Sequence, residues 1–172
     1  MRSALHRVAA VVMVAISVYH IFYMLFTRRG RKFTWDMLPR FKDIGDVFRN
    51  ILYLTGLSKK KPQFERFGYI EKAEYWALVW GVIVMAATGF IMWFDNYFMG
   101  QLTKLGWDIS RTIHFYEACL ATLAILAWHF YFVLFNPDIY PMSTAWLNGK
   151  VSEEEMAEEH PLELEKLKKQ GK

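Results

Sequence analysis

Three long apolar blocks, at residues 8–27, 75–94 and 118–135, constrain this chain more than any other feature. Tyrosine and cysteine aside, the first block contains one ionisable side chain (His20), the second contains none, and the third contains only His129. Each block has 18 to 20 residues, and a helix of that length crosses about 30 Å of hydrocarbon. We therefore expect an all-α membrane protein with three transmembrane helices rather than a soluble globular domain.

Charged and helix-breaking residues around the blocks set the expected ends of the membrane helices. We predict transmembrane helices over residues 5–26, 71–94 and 110–135. The basic cluster Arg28–Arg31 cannot follow the first helix into lipid, and Asn136-Pro137 ends the third helix.

The longer remaining segments are a connection, residues 28–70, and a tail, residues 136–172, and a polar connection near residues 95–109 joins the second and third helices. Apolar residues in the connection recur at intervals of three and four, which predicts an amphipathic helix on the cytoplasmic membrane surface between Pro39 and Gly56. The acidic run Glu153–Glu159 in the tail predicts a solvated helix. We treat residues 1–172 as a single membrane domain.

The basic residues indicate how the chain is oriented in the membrane. Of the 21 Lys and Arg residues, twelve lie in segment 28–72, five follow residue 136, and four lie elsewhere. Because basic residues concentrate on the cytoplasmic side, the connection and the tail are expected in the cytoplasm and the N-terminus outside. The formal net charge of +4 is thus an orientation signal and not a sign of nucleic-acid binding.

The single cysteine excludes several classes of redox protein. Cys119 lies inside the third apolar block. One cysteine cannot supply a disulfide, a cysteine-ligated iron–sulfur cluster, a zinc ribbon or the C-x-x-C-H attachment site of c-type haem.

Four histidines lie in or at the ends of the first and third membrane helices. His6 and His20 are 14 residues apart, and His114 and His129 are 15 apart. In α-helices these separations are rises of about 21 and 22.5 Å with offsets of about 40° and 60°. Because the two helices run in the same direction, His6 and His114 share the outer level, and His20 and His129 share the inner level.

Paired imidazoles at two depths predict two haem b groups, each with two axial histidines. Small residues in both helices would admit the flat porphyrin: Ala9, Ala10, Ala15, Ser17, Ala118, Ala121 and Ala124. A proton relay is the main alternative, but the sequence lacks the carboxylate chain that a relay uses. Arg2, Arg7 and Arg111 lie near the outer histidines and would either bind haem propionates or anchor the helices at the interface.

Several motifs resemble the cytochrome b (gamma) subunit of membrane formate dehydrogenases and, more distantly, the cytochrome b subunits of nickel–iron hydrogenases. They are RSALHR at residues 2–7, the Ile113-His114 and Trp128-His129 patterns, LNGKVS at residues 147–152 and Glu159-His160-Pro161. The resemblance implies a four-helix, two-haem subunit in a prokaryotic inner membrane. It would take electrons from an extracytoplasmic iron–sulfur or multihaem partner and pass them to menaquinone or ubiquinone.

The same resemblance assigns ligands and shows a departure from the family pattern. It makes His6 and His114 the outer-haem ligands and His129 one inner-haem ligand, at a spacing one residue longer than the family's. The family's first helix, which carries the other inner ligand, has no counterpart here. Either His20 replaces that ligand, or the helix comes from another polypeptide or was omitted from this chain.

The quinone site of the family matches the start of the second membrane helix. Its positions here are Gly68, Tyr69 and Glu71, with Glu74 one turn further along. The two glutamates would exchange protons with a quinol, or they simply begin a helix and favour its dipole.

We thus expect an electron-transfer subunit and not a complete enzyme, because no pterin, flavin, nickel or iron–sulfur motif is present. The alternative is a haem-free membrane anchor or assembly scaffold for a redox complex.

Overall fold

The computed structural model describes residues 2–137, 140 and 142–171, with the side chain of Arg2 left undescribed. The fold is 81% helical, and the described residues contain no strand. Three helical stretches are long and apolar enough to span a membrane: Ser3–Phe26, Tyr69–Trp93 and Asp95–Phe135. The predicted all-α membrane fold with three transmembrane helices is confirmed.

The described residues contain eight α-helices and two π-helical segments. The α-helices are α1 (Arg2–Phe26), α2 (Arg28–Met37), α3 (Phe41–Leu54), α4 (Tyr69–Trp93), α5 (Asp95–Ala124), α6 (Ala145–Asn148), α7 (Glu153–Glu159) and α8 (Pro161–Lys169). The π-helical segments, Ile125–His129 and Tyr131–Phe135, continue the chain beyond α5.

Two parts of the helical pattern differ from the sequence-based expectation. The basic cluster after α1 does not form a loop, because α2 begins there at once. The Thr27 hydroxyl accepts a hydrogen bond from the Gly30 amide at 2.9 Å and so caps the new helix. At Gly30 a Cβ atom would lie 2.2 Å from the Tyr23 carbonyl oxygen, so this tight join requires glycine.

Helical structure begins ahead of the predicted third membrane helix (residues 110–135), at Asp95, in a helix that is kinked at Thr103. The polar segment expected to be a connection is helical, with one break at Thr103, where φ is 62° and ψ is 169°. Hydropathy detects the part of a helix that lies in lipid, so it misses a polar extension beyond it.

The chain divides into two compact units. The first comprises Met1–Thr34 and Trp76–Leu126, and the second comprises Trp35–Tyr75 and Ala127–Lys172. Each is described below by itself.

In the second unit a buried ion pair holds α3 against the start of α4. Lys72 is only 6% exposed, and its ammonium lies 2.9 Å from both carboxylate oxygens of Asp43. The Asn50 side chain also donates a hydrogen bond to the Tyr69 hydroxyl at 2.7 Å. An unpaired buried charge is costly. Removal of either Lys72 or Asp43 would leave the other charge unpaired and would strongly destabilise the folded second unit.

The other side of α3 is apolar and open, as predicted for an amphipathic helix at a membrane surface. Its exposed large side chains are Phe41, Ile44, Phe48, Ile51, Leu52 and Leu54. The polar side of this helix therefore faces its own unit, and the apolar side is available to lipid.

The C-terminal tail contacts the segment before α4 and is more than a solvated helix. His160 Nδ1 donates to the Glu65 carbonyl at 2.8 Å, and the Leu162 amide donates to the Phe64 carbonyl at 3.2 Å. Lys61 pairs with Glu159 at 3.1 Å.

The Glu65 carboxylate adds two ion pairs to this contact, with Arg40 at 3.0 Å and Lys166 at 3.4 Å. Partial burial raises the pKa of Glu65, but the combined attraction of Lys166 and Arg40 outweighs it, so the pKa lies below the ordinary glutamate value. The ionised side chain therefore favours the docked tail.

We expect Glu65→Gln to loosen the tail, because the neutral amide loses its attraction to Arg40 and Lys166. Cleavage of the tail in limited proteolysis should accelerate about twofold to fivefold, as suits partly exposed ion pairs. Glu158→Gln makes the same charge change at an exposed position of α7 and should have no effect.

The wild-type protein should show the same loosening in acid. Since the folded-state pKa of Glu65 is depressed, its contribution is complete above the ordinary glutamate pKa of about 4.3. It is lost as the pH falls through the lower folded-state value. Equal cleavage of Glu65→Gln and wild type at neutral pH would contradict the role of this carboxylate.

Candidate functional site

The first unit contains a cavity of about 730 Å³ beside two predicted site histidines. Residues of α1 and α4 form its walls, and His114 of α5 closes one side. Most lining side chains are small or apolar, among them Ala9, Ala10, Ala15, Ala86 and Gly89. This volume and lining are typical of a site for an organic cofactor.

His6 and His114 lie together at this cavity. Their ring centroids are 6.1 Å apart, and their planes are nearly perpendicular at 83°. A metal–imidazole bond is about 2.0 Å and the ring nitrogen lies about 1.1 Å from the centroid, so imidazoles on opposite sides of one metal ion have centroids about 6.2 Å apart. The observed separation agrees with that arrangement.

Helix α4 supports the His114 ring through two consecutive residues. The Thr88 hydroxyl oxygen lies 2.9 Å from His114 Nδ1. At Gly89 a Cβ atom would lie 3.3 Å from His114 Cε1, so the glycine lets the imidazole approach the helix closely.

Two candidate arginines of this unit stack on tryptophans. The Arg7 guanidinium lies 5.2 Å from the centroid of Trp93, and both side chains line the cavity. The Arg111 guanidinium lies 5.9 Å from the centroid of Trp107. These contacts are cation–π interactions that hold both cations in place. The side chain of Arg2, the third candidate, lies outside the described residues.

In the second unit the candidate ligand His129 contacts a carboxylate of α4. His129 Nδ1 lies 3.4 Å from Glu74 Oε2. The other carboxylate oxygen, Glu74 Oε1, is buried and has no hydrogen-bond partner within the part of the chain that the structure describes. A buried acceptor of this kind is uncommon in proteins.

The other quinone candidates make structural contacts. Glu71 Oε2 accepts a hydrogen bond from the Gly68 amide at 2.9 Å, which caps the start of α4. The Tyr69 hydroxyl accepts the hydrogen bond from Asn50. Glu71 therefore makes the contact expected of a residue that begins a helix, and its place in a quinone site stays a prediction.

Comparison with known families agrees with this geometry. Residues 1–144 match the sequence profile of prokaryotic cytochrome b561. The chain belongs to the prokaryotic cytochrome b561 family. It is accordingly a multi-pass membrane cytochrome that binds haem b and takes part in electron transfer. No curated protein and no solved structure matches the chain significantly.

The residues around the cavity of this cytochrome fit haem b. His6 and His114, at a suitable separation, would bind the iron, small apolar side chains would form flat walls, and Arg7 would provide a cation for a propionate. No cluster of three or more His, Cys, Asp or Glu that could hold a different metal ion occurs among the described residues.

The remaining candidate histidine of the cytochrome, His20, is half-buried in the first unit. Its ring lies 6.3 Å from that of Phe33 in an edge-on contact. His129 belongs to the second unit, and the pairing of His20 with His129 stays a prediction.

The sequence analysis missed the contribution of α4 to the cavity. Small residues were expected from the first and third membrane helices, and Ala118, Ala121 and Ala124 are not among the lining residues. Ala86 and Gly89 of α4 line it instead. The run Ala86-Ala87-Thr88-Gly89, small residues within an apolar helix, was the available signal.

We predict that Gly89→Val lowers the haem content of the purified cytochrome, because its side chain would displace His114. Gly89→Ala should cause a smaller loss, since one Cβ atom at 3.3 Å requires only a slight shift of the ring. Haem per polypeptide is measured by the pyridine haemochrome spectrum.

Gly100→Val is the matched control, because a Cβ at that position of α5 meets nothing within 4 Å among the described residues beyond its chain neighbours and the nearby backbone of its own helix. Valine suits a helix better than glycine does, so neither substitution weakens its helix through the intrinsic propensity of the residue. A loss of haem in Gly89→Val but not in Gly100→Val would therefore result from the contact with His114. Full haem content in Gly89→Val would show that the imidazole does not need this close approach.

Proposed function

We propose that this protein is a diheme b-type membrane subunit of a respiratory oxidoreductase complex. It passes electrons between an extracytoplasmic redox partner and the quinone pool. The observation that carries the proposal is the His6–His114 pair, 6.1 Å apart at an apolar cavity. A second pair of histidines, 14 and 15 residues further along the same helices, supplies ligands for a second haem at another depth.

For the outer haem, His6 and His114 are the axial ligands in this proposal. Arg7 and Arg111, each held on a tryptophan, bind propionates, together with Arg2. Trp107 supports this assignment, because its Nε1 is buried without a hydrogen-bond partner in the described portion of the chain. A propionate oxygen would accept that proton.

For the inner haem, His129 is one axial ligand and His20 is the other. The contact of Glu74 with His129 Nδ1 supports this role, because metal-bound histidines usually donate their second N–H to a carboxylate, a carbonyl or water. If the helix that the formate dehydrogenase subfamily has before this region comes from another polypeptide or was omitted from this chain, a histidine of that helix replaces His20.

When bound, haem b supplies a one-electron redox couple, and quinone chemistry also needs a proton carrier. Glu74 suits that task, since one carboxylate oxygen contacts His129 and the other is a buried free acceptor in the described residues. Glu74 would take the proton of a quinol hydroxyl close to the inner haem, at a site that also includes Gly68, Tyr69 and Glu71. Menaquinone or ubiquinone would be the exchangeable substrate.

The distribution of Lys and Arg supports the orientation of this electron path. Connection and tail lie in the cytoplasm, and the N-terminus lies outside, next to an iron–sulfur or multihaem partner subunit. The motifs shared with formate dehydrogenase and hydrogenase cytochromes point to the same kind of complex in a prokaryotic inner membrane. Haem binding by the family favours this function over a haem-free scaffold.

Histidine substitutions test the two haem sites. His6→Ala and His114→Ala should each lower the haem count of the purified protein from two to one, because one haem loses an axial bond. His20→Ala and His129→Ala should each remove the other haem. His160→Ala is the control for loss of an imidazole. His160 lies in the tail, where its ring donates to the Glu65 carbonyl and binds no haem in this proposal.

The haem count in His20→Ala also decides between the two inner-haem arrangements. An unchanged count there, with loss in His129→Ala, would assign the second inner ligand to a residue other than His20. A single haem in wild type that survives His114→Ala would overturn the pairing at the outer site.

Glu74→Gln tests the quinone link. The amide keeps the shape of the side chain but cannot accept a proton, so haem reduction by a quinol analogue should slow about 100-fold or more. Haem content and reduction by dithionite should stay unchanged. Glu158→Gln is the charge-matched control, and an unaffected quinol rate in Glu74→Gln would remove this residue from the quinone site.

A further inference from the structure

The hydroxyl of Thr88 makes two short polar contacts within the first unit. Its oxygen lies 2.6 Å from the Val84 carbonyl oxygen, one helical turn earlier in α4, and 2.9 Å from His114 Nδ1. Thr88 is only 7% exposed and is not among the residues that line the cavity, whereas His114 is. The hydroxyl therefore contacts the imidazole away from the cavity wall.

Counting protons fixes the direction of both hydrogen bonds. A carbonyl oxygen can only accept, so the single hydroxyl proton of Thr88 is donated to Val84. The Thr88 oxygen must then accept from His114, and Nδ1 of that imidazole carries the proton. In the neutral ring this leaves the lone pair on Nε2, the only nitrogen still available to a metal.

We propose that Thr88 is a positioning residue that holds His114 in the Nδ1–H tautomer with its Nε2 free to bind haem iron. The inference rests on the proposed function, in which His114 is an axial ligand. An Nδ1–H that donates to a fixed acceptor also makes the imidazole a stronger electron donor. Thr88 therefore stabilises the oxidised form of the outer haem and lowers its reduction potential.

Two other hydroxyl residues of the membrane helices make, among the described residues, only the hydrogen bond within their own helix, and comparison with them shows what is different about Thr88. Ser17 donates to Met13 O, and Thr122 donates to Ala118 O, both at 2.8 Å and both one turn back along the helix. Thr88 has the same intrahelical bond and, in addition, an imidazole on its oxygen. Thr122, on the helix that carries His114, is thus a matched control for loss of a hydroxyl.

The test compares Thr88→Val, Thr88→Ser, Thr122→Val and His114→Ala in the purified, haem-loaded protein. The readouts are haem count, the redox titration of each haem and the electron paramagnetic resonance of the low-spin ferric state. The relevant haem is the one that His114→Ala lacks. In Thr88→Val its ratio of reduced to oxidised form at a fixed potential should rise about threefold to tenfold, the size expected for one hydrogen bond.

Thr88→Ser keeps the hydroxyl and should keep the wild-type potential and spectrum, and Thr122→Val should do the same. If Thr88→Val loses this haem altogether while Thr88→Ser retains it, the positioning role is supported in a stronger form. Equal shifts or equal losses in Thr88→Ser and Thr88→Val would show that retaining the hydroxyl does not preserve the wild-type haem, and would overturn the proposal.

The failure of this inference can be distinguished from failure of the proposed function. An unchanged potential in Thr88→Val, with one haem lost in His114→Ala, overturns the role of Thr88 alone. If His114→Ala retains every haem, axial ligation by His114 is refuted and the inference falls with it.

Discussion

An imidazole in a membrane helix needs partners for two ring nitrogens where water is scarce, and two side chains of α4 meet part of that need. A buried polar group without a partner costs several kcal/mol in hydrocarbon. Helix α4 supplies a partner for Nδ1 of two candidate ligands, His114 and His129. Thr88 bonds to His114 in the first unit, and Glu74 contacts His129 in the second. In both rings Nε2 remains the nitrogen that can bind a metal.

The cytoplasmic-facing side of the proposed topology obeys the same rule with charges. Lys72 at the start of α4 is buried, and the two oxygens of Asp43 satisfy it. Glu65 stands between Arg40 and Lys166 and joins the tail to the segment before α4. Asp43 and Asp46 of α3 therefore face the interior of the second unit, whereas the large apolar side chains of this helix are exposed. An amphipathic helix of a soluble protein usually has the opposite polarity.

The sequence predicts the membrane helices well because hydropathy sums over a whole span. The first helix was expected at 5–26 and is Arg2–Phe26, and the second was expected at 71–94 and is Tyr69–Trp93. Helix α2 was missed because its charges suggested a loop. Contacts between helices were also missed: Gly89 matters only because His114 lies against it, and Thr88 matters only because of a neighbour 26 residues away. No single-helix pattern contains that information.

Spacing arithmetic has a further limit, which the helix that carries His114 and His129 makes clear. An offset of about 60° for 15 residues assumes α-helical hydrogen bonds throughout. The segment Ile125–His129 is π-helical, so its bonds run from residue i to i+5 and each such turn holds one extra residue. The facing of His129 is thus set by a backbone hydrogen-bond pattern that a count of residues does not reveal.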